Sequence, residues 1–197
     1  MDREENMMYN PRKASQTIAF FALKTAQRRI NVLKAMKLLY LADRENVSRF
    51  GFPILEERRV SMKLGPVNST TYDYIKGEVR PENDGGWSEF VTDRANHEVG
   101  VANKEIKVDD LDELSDAEIG TLEAVWEKFG GMDKWQLVNF THDRVNIPEW
   151  EDPLKTGQNS KQIEFETMLG VMKVPFHKEH AAEIESIGNA TKFLKGL

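Results

Sequence analysis

Residues 33–76, LKAMKLLYLADRENVSRFGFPILEERRVSMKLGPVNSTTYDYIK, constrain the fold more than any other stretch. Leu33, Met36, Leu39, Tyr40 and Val47 recur at three- and four-residue spacing, which predicts one apolar stripe of a helix. Lys34, Lys37, Arg44 and Arg49 then face elsewhere. Asn31 is placed to cap the helix, and Gly51 followed by Pro53 to end it. Residues 52–57 read as a loop. In 59–64, Val60, Met62 and Leu64 alternate with Arg59, Ser61 and Lys63, the period of a half-buried strand. Gly65-Pro66 forms an elbow. Pro66 suits the first turn of a helix that carries Tyr72, Tyr74 and Ile75 and stops at Gly77.

The flanks extend this pattern. Residues 1–10 read as a flexible arm, and Pro11 opens a helix whose stripe is Ala14, Ile18, Phe21, Ala22 and Ala26, ending near Arg28 or Arg29. Residues 78–86 are turn-rich. Residues 87–92 and 98–101 are β-like and joined by 93–96, a hairpin expected to share a small antiparallel sheet with 59–64. Ser115 and Glu118 form a capping box before a stripe of Ile119, Leu122, Val125, Trp126 and Phe129. After Gly130-Gly131, Asp133 caps a helix carrying Trp135, Leu137, Val138 and Phe140. Residues 141–159 are irregular, and helices follow over 160–172 and 178–195, separated by Pro175. The expected fold is mainly α with a small antiparallel β-sheet (α+β): a compact helical domain with a strand and a β-hairpin. One domain over 11–197 follows the arm.

Chemistry is bounded mainly by what is missing. The chain has no Cys, so disulfides, thiolate catalysis and cysteine-ligated metals are excluded. The charged start MDREENMMYNPRK has no apolar signal core, and no run approaches the roughly 18 apolar residues of a membrane span. A cytoplasmic protein without membrane association is expected. The nucleophile-elbow, Walker and dinucleotide glycine motifs do not occur, so neither an enzyme nor a cofactor site is expected. His177 and His180 share a helix face but lack the further converging ligands a metal needs, and read as a solvated helix start. The paired carboxylates, Glu56/Glu57 among them, read as solvated surface.

Charge is uneven. Residues 1–50 carry 10 Lys/Arg against 5 Asp/Glu, whereas 81–120 carry 3 against 12. These are either two solvated faces or a basic face that meets an acidic partner. The pI of 5.4 argues against a general nucleic-acid binder. Two further features invite a binding role. Asp43 and Arg44 follow an apolar helical run, and a part-buried Asp43 needs a partner such as Arg58 or Lys63. Between Phe140 and Trp150, a His and a Trp flank a loop, which either packs down or presents an aromatic anchor.

Three segments in this order, KAMKLLYLADRENVSRFGFPI (34–54), SMKLGPVNSTTYDYIKG (61–77) and FTHDRVNIPEW (140–150), resemble the Panacea domain of SocA-like, phage-associated antitoxins. The similarity spans roughly residues 14–155. The family-like positions are Leu39, Tyr40, Ala42, Asp43, Gly65, Pro66, Tyr72, His142 and Trp150. The resemblance implies an antitoxin of a bacterial or phage toxin–antitoxin pair that binds its cognate protein toxin directly. One branch of the family is similar to proteolytic adaptors, which leaves delivery of the toxin to a AAA+ protease as an alternative. A nucleic-acid-binding regulator using the basic first half is the other. Candidate partner-binding residues are Tyr40, Asp43, Arg44, Lys63, Tyr72, Tyr74, Trp87, His142 and Trp150, with Lys37 contributing charge.

Overall fold

Asn10 accepts the Lys13 backbone N–H and Pro11 occupies the first turn, so helix α1 (Pro11–Leu23) starts where its sequence dictates. The protein is described by a computed structural model that covers residues 9–78 and 84–195. Helix α1 ends earlier than its stripe suggested. Ala26 is exposed, and Arg29–Asn31 form a short strand, β1, instead of a last helical turn. At the end of the expected arm, Tyr9 stacks 5.4 Å from Tyr74 and Asn10 donates to Glu113; the rest of it, residues 1–8, lies outside the described residues.

Asn31 caps helix α2 (Val32–Phe50), and Gly51 closes it in the left-handed region at φ +82°. This helix is the centre of the fold. It packs against α1 and β1, and also against the strand at 65–68 and the later helices over 116–129, 134–142 and 165–171. Its burial therefore runs most of the way around, from Val32 and Ala35 through Leu38, Leu39, Tyr40 and Leu41 to Val47. A single stripe underestimates it, and Lys37, expected on a polar face, is fully buried.

Strand β2 (Arg59–Met62) turns through Lys63 and Leu64 into β3 (Gly65–Asn68). The Gly65-Pro66 elbow thus continues the sheet rather than opening a helix. Pro66 is tolerated because β3 is an edge strand, where the missing N–H breaks no ladder. Helix α3 (Ser69–Lys76) begins only after Asn68. The outer neighbour of β2 is β5 (Ser160–Ile163), a stretch expected to be helical, which pairs antiparallel with Arg59 opposite Ile163. Both faces of β2 are covered, so Arg59 and Ser61 are buried, contrary to the alternation.

The second sheet is separate. Strand β4 (Glu98–Gly100) pairs with β1, not with β2. The preceding arm is irregular, with a 3-10 turn at Trp87–Glu89 and a single bridge between Val91 and Val101. The tight turn falls at Asn96-His97, one step later than expected. Both residues have positive φ, +52° and +62°, as a two-residue hairpin of this hand requires.

Capping boxes start α4 (Asp116–Phe129) at Ser115/Glu118 and α5 (Lys134–His142) at Asp133/Gln136, as their sequences indicate. After a 3-10 turn at Pro153–Thr156, β5 leads into α6 (Phe165–Val171) and α7 (His177–Lys195). The fold is α+β, with seven α-helices and two small antiparallel sheets among the described residues.

The uneven charge is largely paired within the fold. Arg12 of α1 meets Glu89, Asp112 and Glu113 at 3.2, 2.8 and 3.3 Å. Lys13 pairs with Glu118, Lys24 with Glu123, and Arg29 with Glu98. The basic first helix and the acidic middle segment are two sides of one seam.

Candidate functional site

Asp43 sits on α2 facing the loop that leads to β2, and its carboxylate organises that loop. It accepts Ile54 N–H at 3.0 Å and Leu55 N–H at 3.1 Å, Arg59 Nη2 at 2.7 Å and Asn68 Nδ2 at 2.8 Å. Its ionic partner is therefore Arg59, not Arg58 or Lys63. Position decides this: Arg59 is buried at the start of β2, whereas Lys63 lies in the turn after β2 and lines the groove described below. Glu57 adjoins the same network and accepts the Thr71 hydroxyl and backbone N–H at 2.5 and 2.8 Å. Expected at the surface, it is buried instead. Burial pushes its carboxyl up to about 7 against the lowering effect of the Thr71 hydrogen bonds, with the Asp43 charge adding to the rise.

That shift has a measurable sign. The native protein holds the Glu57 proton more tightly than the unfolded chain, where a glutamate carboxyl titrates near its ordinary 4.5. Its contribution to stability is complete below that value and is lost as pH rises through about 7. The change amounts to about 3 kcal/mol between those limits. Urea unfolding of the wild type and Glu57→Gln across this window should therefore give a stability difference that moves against the wild type as pH rises. A difference independent of pH would show that Glu57 titrates normally.

On the next face of α2, the Tyr40 hydroxyl donates to Glu149 at 2.8 Å, and the Arg44 guanidinium binds the same carboxylate. Trp150 lies 4.5 Å from the His142 ring, and its Nε1–H donates to Met62 O at 3.3 Å. Tyr74 stacks between Tyr9 and Trp87. Of the residues singled out from sequence, Tyr40, Asp43, Trp87 and Trp150 are buried, and Arg44, Tyr74 and His142 are half-buried within these contacts. His177 and His180 do not act together. His180 Nε2 is 3.0 Å from Gly51 O with its ring against Phe52, while His177 packs beside Gly170. Among the described residues, no group of three His, Cys, Asp or Glu could hold a metal. No helix among them is long and apolar enough to cross a membrane.

Lys63 and Tyr72 do come together, in a groove of about 510 Å³. Its walls are the first turns of α2, the tip of the β2–β3 hairpin, Tyr72 of α3, the Asn96-His97 turn and the start of α5. The floor is apolar, with Val32, Met36, Met62 and Val67. Leu64 and Trp135 stand at its edges, 40% and 54% exposed. Every side chain of full charge along it is cationic: Lys37, Lys63, Arg94 and Lys134. Among the described residues, none of these four forms a salt bridge, whereas Arg12, Lys13, Arg44, Arg59 and Lys76 all do. Lys37 lies beneath the hairpin and donates to Pro66 O at 2.7 Å; burial lowers its ammonium to about 7.

Charge singles out Lys37 and Lys63 in the sequence as partner-binding candidates, and family-like position singles out Tyr72, but neither indicates that they share a groove or that Leu64, Arg94, His97, Lys134 and Trp135 join them. Trp135 carried a usable signal. It occupies the first turn of a short helix, beside the capping Asp133 and before the buried pair Leu137 and Val138. A Trp there falls off the buried face.

The description "Antitoxin SocA-like, Panacea domain" belongs to the family model that matches residues 35–151. The matched segment contains the groove apart from Asn31, Val32 and Leu33, together with the Asp43 and Glu149 networks. No curated protein and no solved structure matches the chain. With more than half of its residues matched, the chain belongs to the family of SocA-like antitoxins that carry the Panacea domain.

Proposed function

We propose that this protein neutralises a cognate toxin by direct, stoichiometric protein–protein contact, and that the groove is the contact surface. The observation that carries this reading is the pair Leu64 and Trp135, exposed on either side of an apolar floor within the family-matched segment. Exposed large apolar side chains around a concave apolar surface mark interaction sites, and Trp is among the most frequent energetic anchors of interfaces. Lys63 and Tyr72 join them as partner-binding residues. Tyr40, Asp43, Arg44, Trp87 and Trp150 support the reading through folding, because their side chains are engaged inside the protein. The toxin is blocked by occupancy, not by turnover, and the contact buries on the order of 1,200–2,000 Å² in total if the complex is stable.

The test is co-expression with the adjacent reading frame, scoring growth and co-purification. Toxicity relieved together with a stable complex supports direct neutralisation. Relief with a shortened toxin half-life and no stable complex replaces it with delivery to a AAA+ protease. Trp135→Ala provides the sharper result. The side chain is more than half exposed, so the fold should stay within about 0.5 kcal/mol of wild type. Co-purification should nevertheless fall at least tenfold. Unchanged capture of the toxin would move the contact surface away from the groove.

A further inference from the structure

The groove has a definite chemical complement. Its floor is apolar, and two of the floor residues are Met, whose unbranched chains adapt to the shape of an incoming side chain. Its rim is cationic on three sides: Lys63 on the hairpin tip, Arg94 beside the Asn96-His97 turn, and Lys134 at the start of α5. No carboxylate within the described residues lies within salt-bridge distance of any of them. Arg94 Nη2 is 3.1 Å from Nδ1 of the neighbouring His97 ring, and Lys134 stands 5.7 Å from the centre of the Trp135 ring. A chain of net charge −6 that concentrates unpaired cations around one apolar depression offers a local field opposite to its overall sign.

The backbone around the groove narrows the shape of the occupant. Strand β3 lines it with Gly65 and Val67; between them Pro66 has no N–H to offer an added strand, and its carbonyl is already taken by Lys37. The Val32 N–H donates to His97 O at 2.8 Å, and β2 is paired on both edges. An added strand finds no free ladder here. Recognition has to come from side chains, which suits a helix whose own backbone is already satisfied.

Resting on the reading of this chain as a direct toxin binder, we propose that the groove receives an acidic amphipathic helix of the toxin. The apolar face of that helix lies between Leu64 and Trp135, and its carboxylates meet Lys63, Arg94 and Lys134. The overall negative charge of the protein and the apolar floor disfavour nucleic acid as the occupant, since phosphate recognition rests on a basic surface.

The test uses the full chain and three fluorescein-labelled synthetic peptides. One is a Leu/Glu sequence in amphipathic helical order, one is its Leu/Lys counterpart, and one is a scramble of the Leu/Glu composition. A labelled single-stranded oligonucleotide is the fourth probe. Fluorescence anisotropy should show the Leu/Glu helix binding at least tenfold more tightly than the other probes, with affinity that falls as salt rises. The triple variant Lys63→Glu/Arg94→Glu/Lys134→Glu should lose at least tenfold for the Leu/Glu helix and gain affinity for the Leu/Lys helix. Circular dichroism and urea unfolding of the triple variant establish that the fold survives. Equal binding of the scramble, preference for the Leu/Lys helix or the oligonucleotide, or no binding by any probe overturns the proposal. Co-expression separates it from the reading beneath it. If the folded triple variant still neutralises the adjacent toxin, the groove assignment falls and direct neutralisation stands. If the adjacent gene is not toxic but the peptide preference holds, the groove chemistry stands and the antitoxin reading falls.

Discussion

Asp43→Ala should lower the unfolding free energy by about 3–5 kcal/mol, enough to leave much of the protein unfolded at physiological temperature. The carboxylate is fully buried, so the cost is not a surface ion pair. Removing it strips Arg59 Nε and Nη2 of their anionic partner, 3.1 and 2.7 Å away. The guanidinium is then left in the interior with only the Glu57 and Leu55 carbonyls for company. Two backbone donors, Ile54 N–H and Leu55 N–H, also lose their acceptor. Breaking one side of a buried pair costs far more than replacing both sides. The double variant Asp43→Leu/Arg59→Met should therefore recover much of the loss. Urea unfolding of all three proteins decides the matter. A single variant less than about 1 kcal/mol below wild type would mean that the network does not hold the loop to α2.

Gly65→Ala should cost about 2–4 kcal/mol, through two effects that add. Gly65 has φ +94°, where a side chain strains the backbone. A Cβ there would also stand 2.7 Å from Thr141 Oγ1 and 2.9 Å from Lys37 Nζ. Neither neighbour can retreat, because both side chains are fully buried. Gly77→Ala separates the two effects. Gly77 has φ +77° with nothing within 4 Å of its Cβ position, so only the strain remains, about 1 kcal/mol. Thermal or urea unfolding of the pair should rank them in this order. Equal losses would show that the space beneath the hairpin yields to a methyl group. Because Gly65 lines the groove above Lys37, its variant should also bind the acidic helix less well.

The parts legible in the sequence are those whose signal is local. Asn31, Ser115/Glu118 and Asp133/Gln136 satisfy the N–H groups of the turn they begin, so three helix starts can be read without knowing the neighbours. The missed elements depend on distant partners. Strand β1 has three residues, too few for its alternation to register, and β5 has four that do not alternate; each exists because of a strand far along the chain. The strand reading of 59–64 was sound in type but not in burial, since β5 covers β2 from a region expected to be helical. Lys37 was readable in principle: it follows Leu33 by four residues and precedes Tyr40 by three, which puts it on their face. Its charge argued for the surface, and the charge was the weaker guide. At the candidate site, Lys63 and Tyr72 were singled out, but no local pattern brings Arg94, Lys134 and Trp135 to the same groove. Only the packing of α5 and of the β1–β4 sheet, with its Asn96-His97 turn, around α2 does so.

The seam between α1 and the acidic segment has a consequence for how the chain is made. Arg12 and Asp112 are 100 residues apart, so α1 leaves the ribosome long before its counter-charges exist. At typical rates of synthesis the wait is on the order of 5–20 s. During that interval Phe21, fully buried in the finished protein, still lacks its ring contact with Trp126 of α4. The newborn chain is thus open to chaperones and proteases over one side of its first helix until synthesis has passed α4.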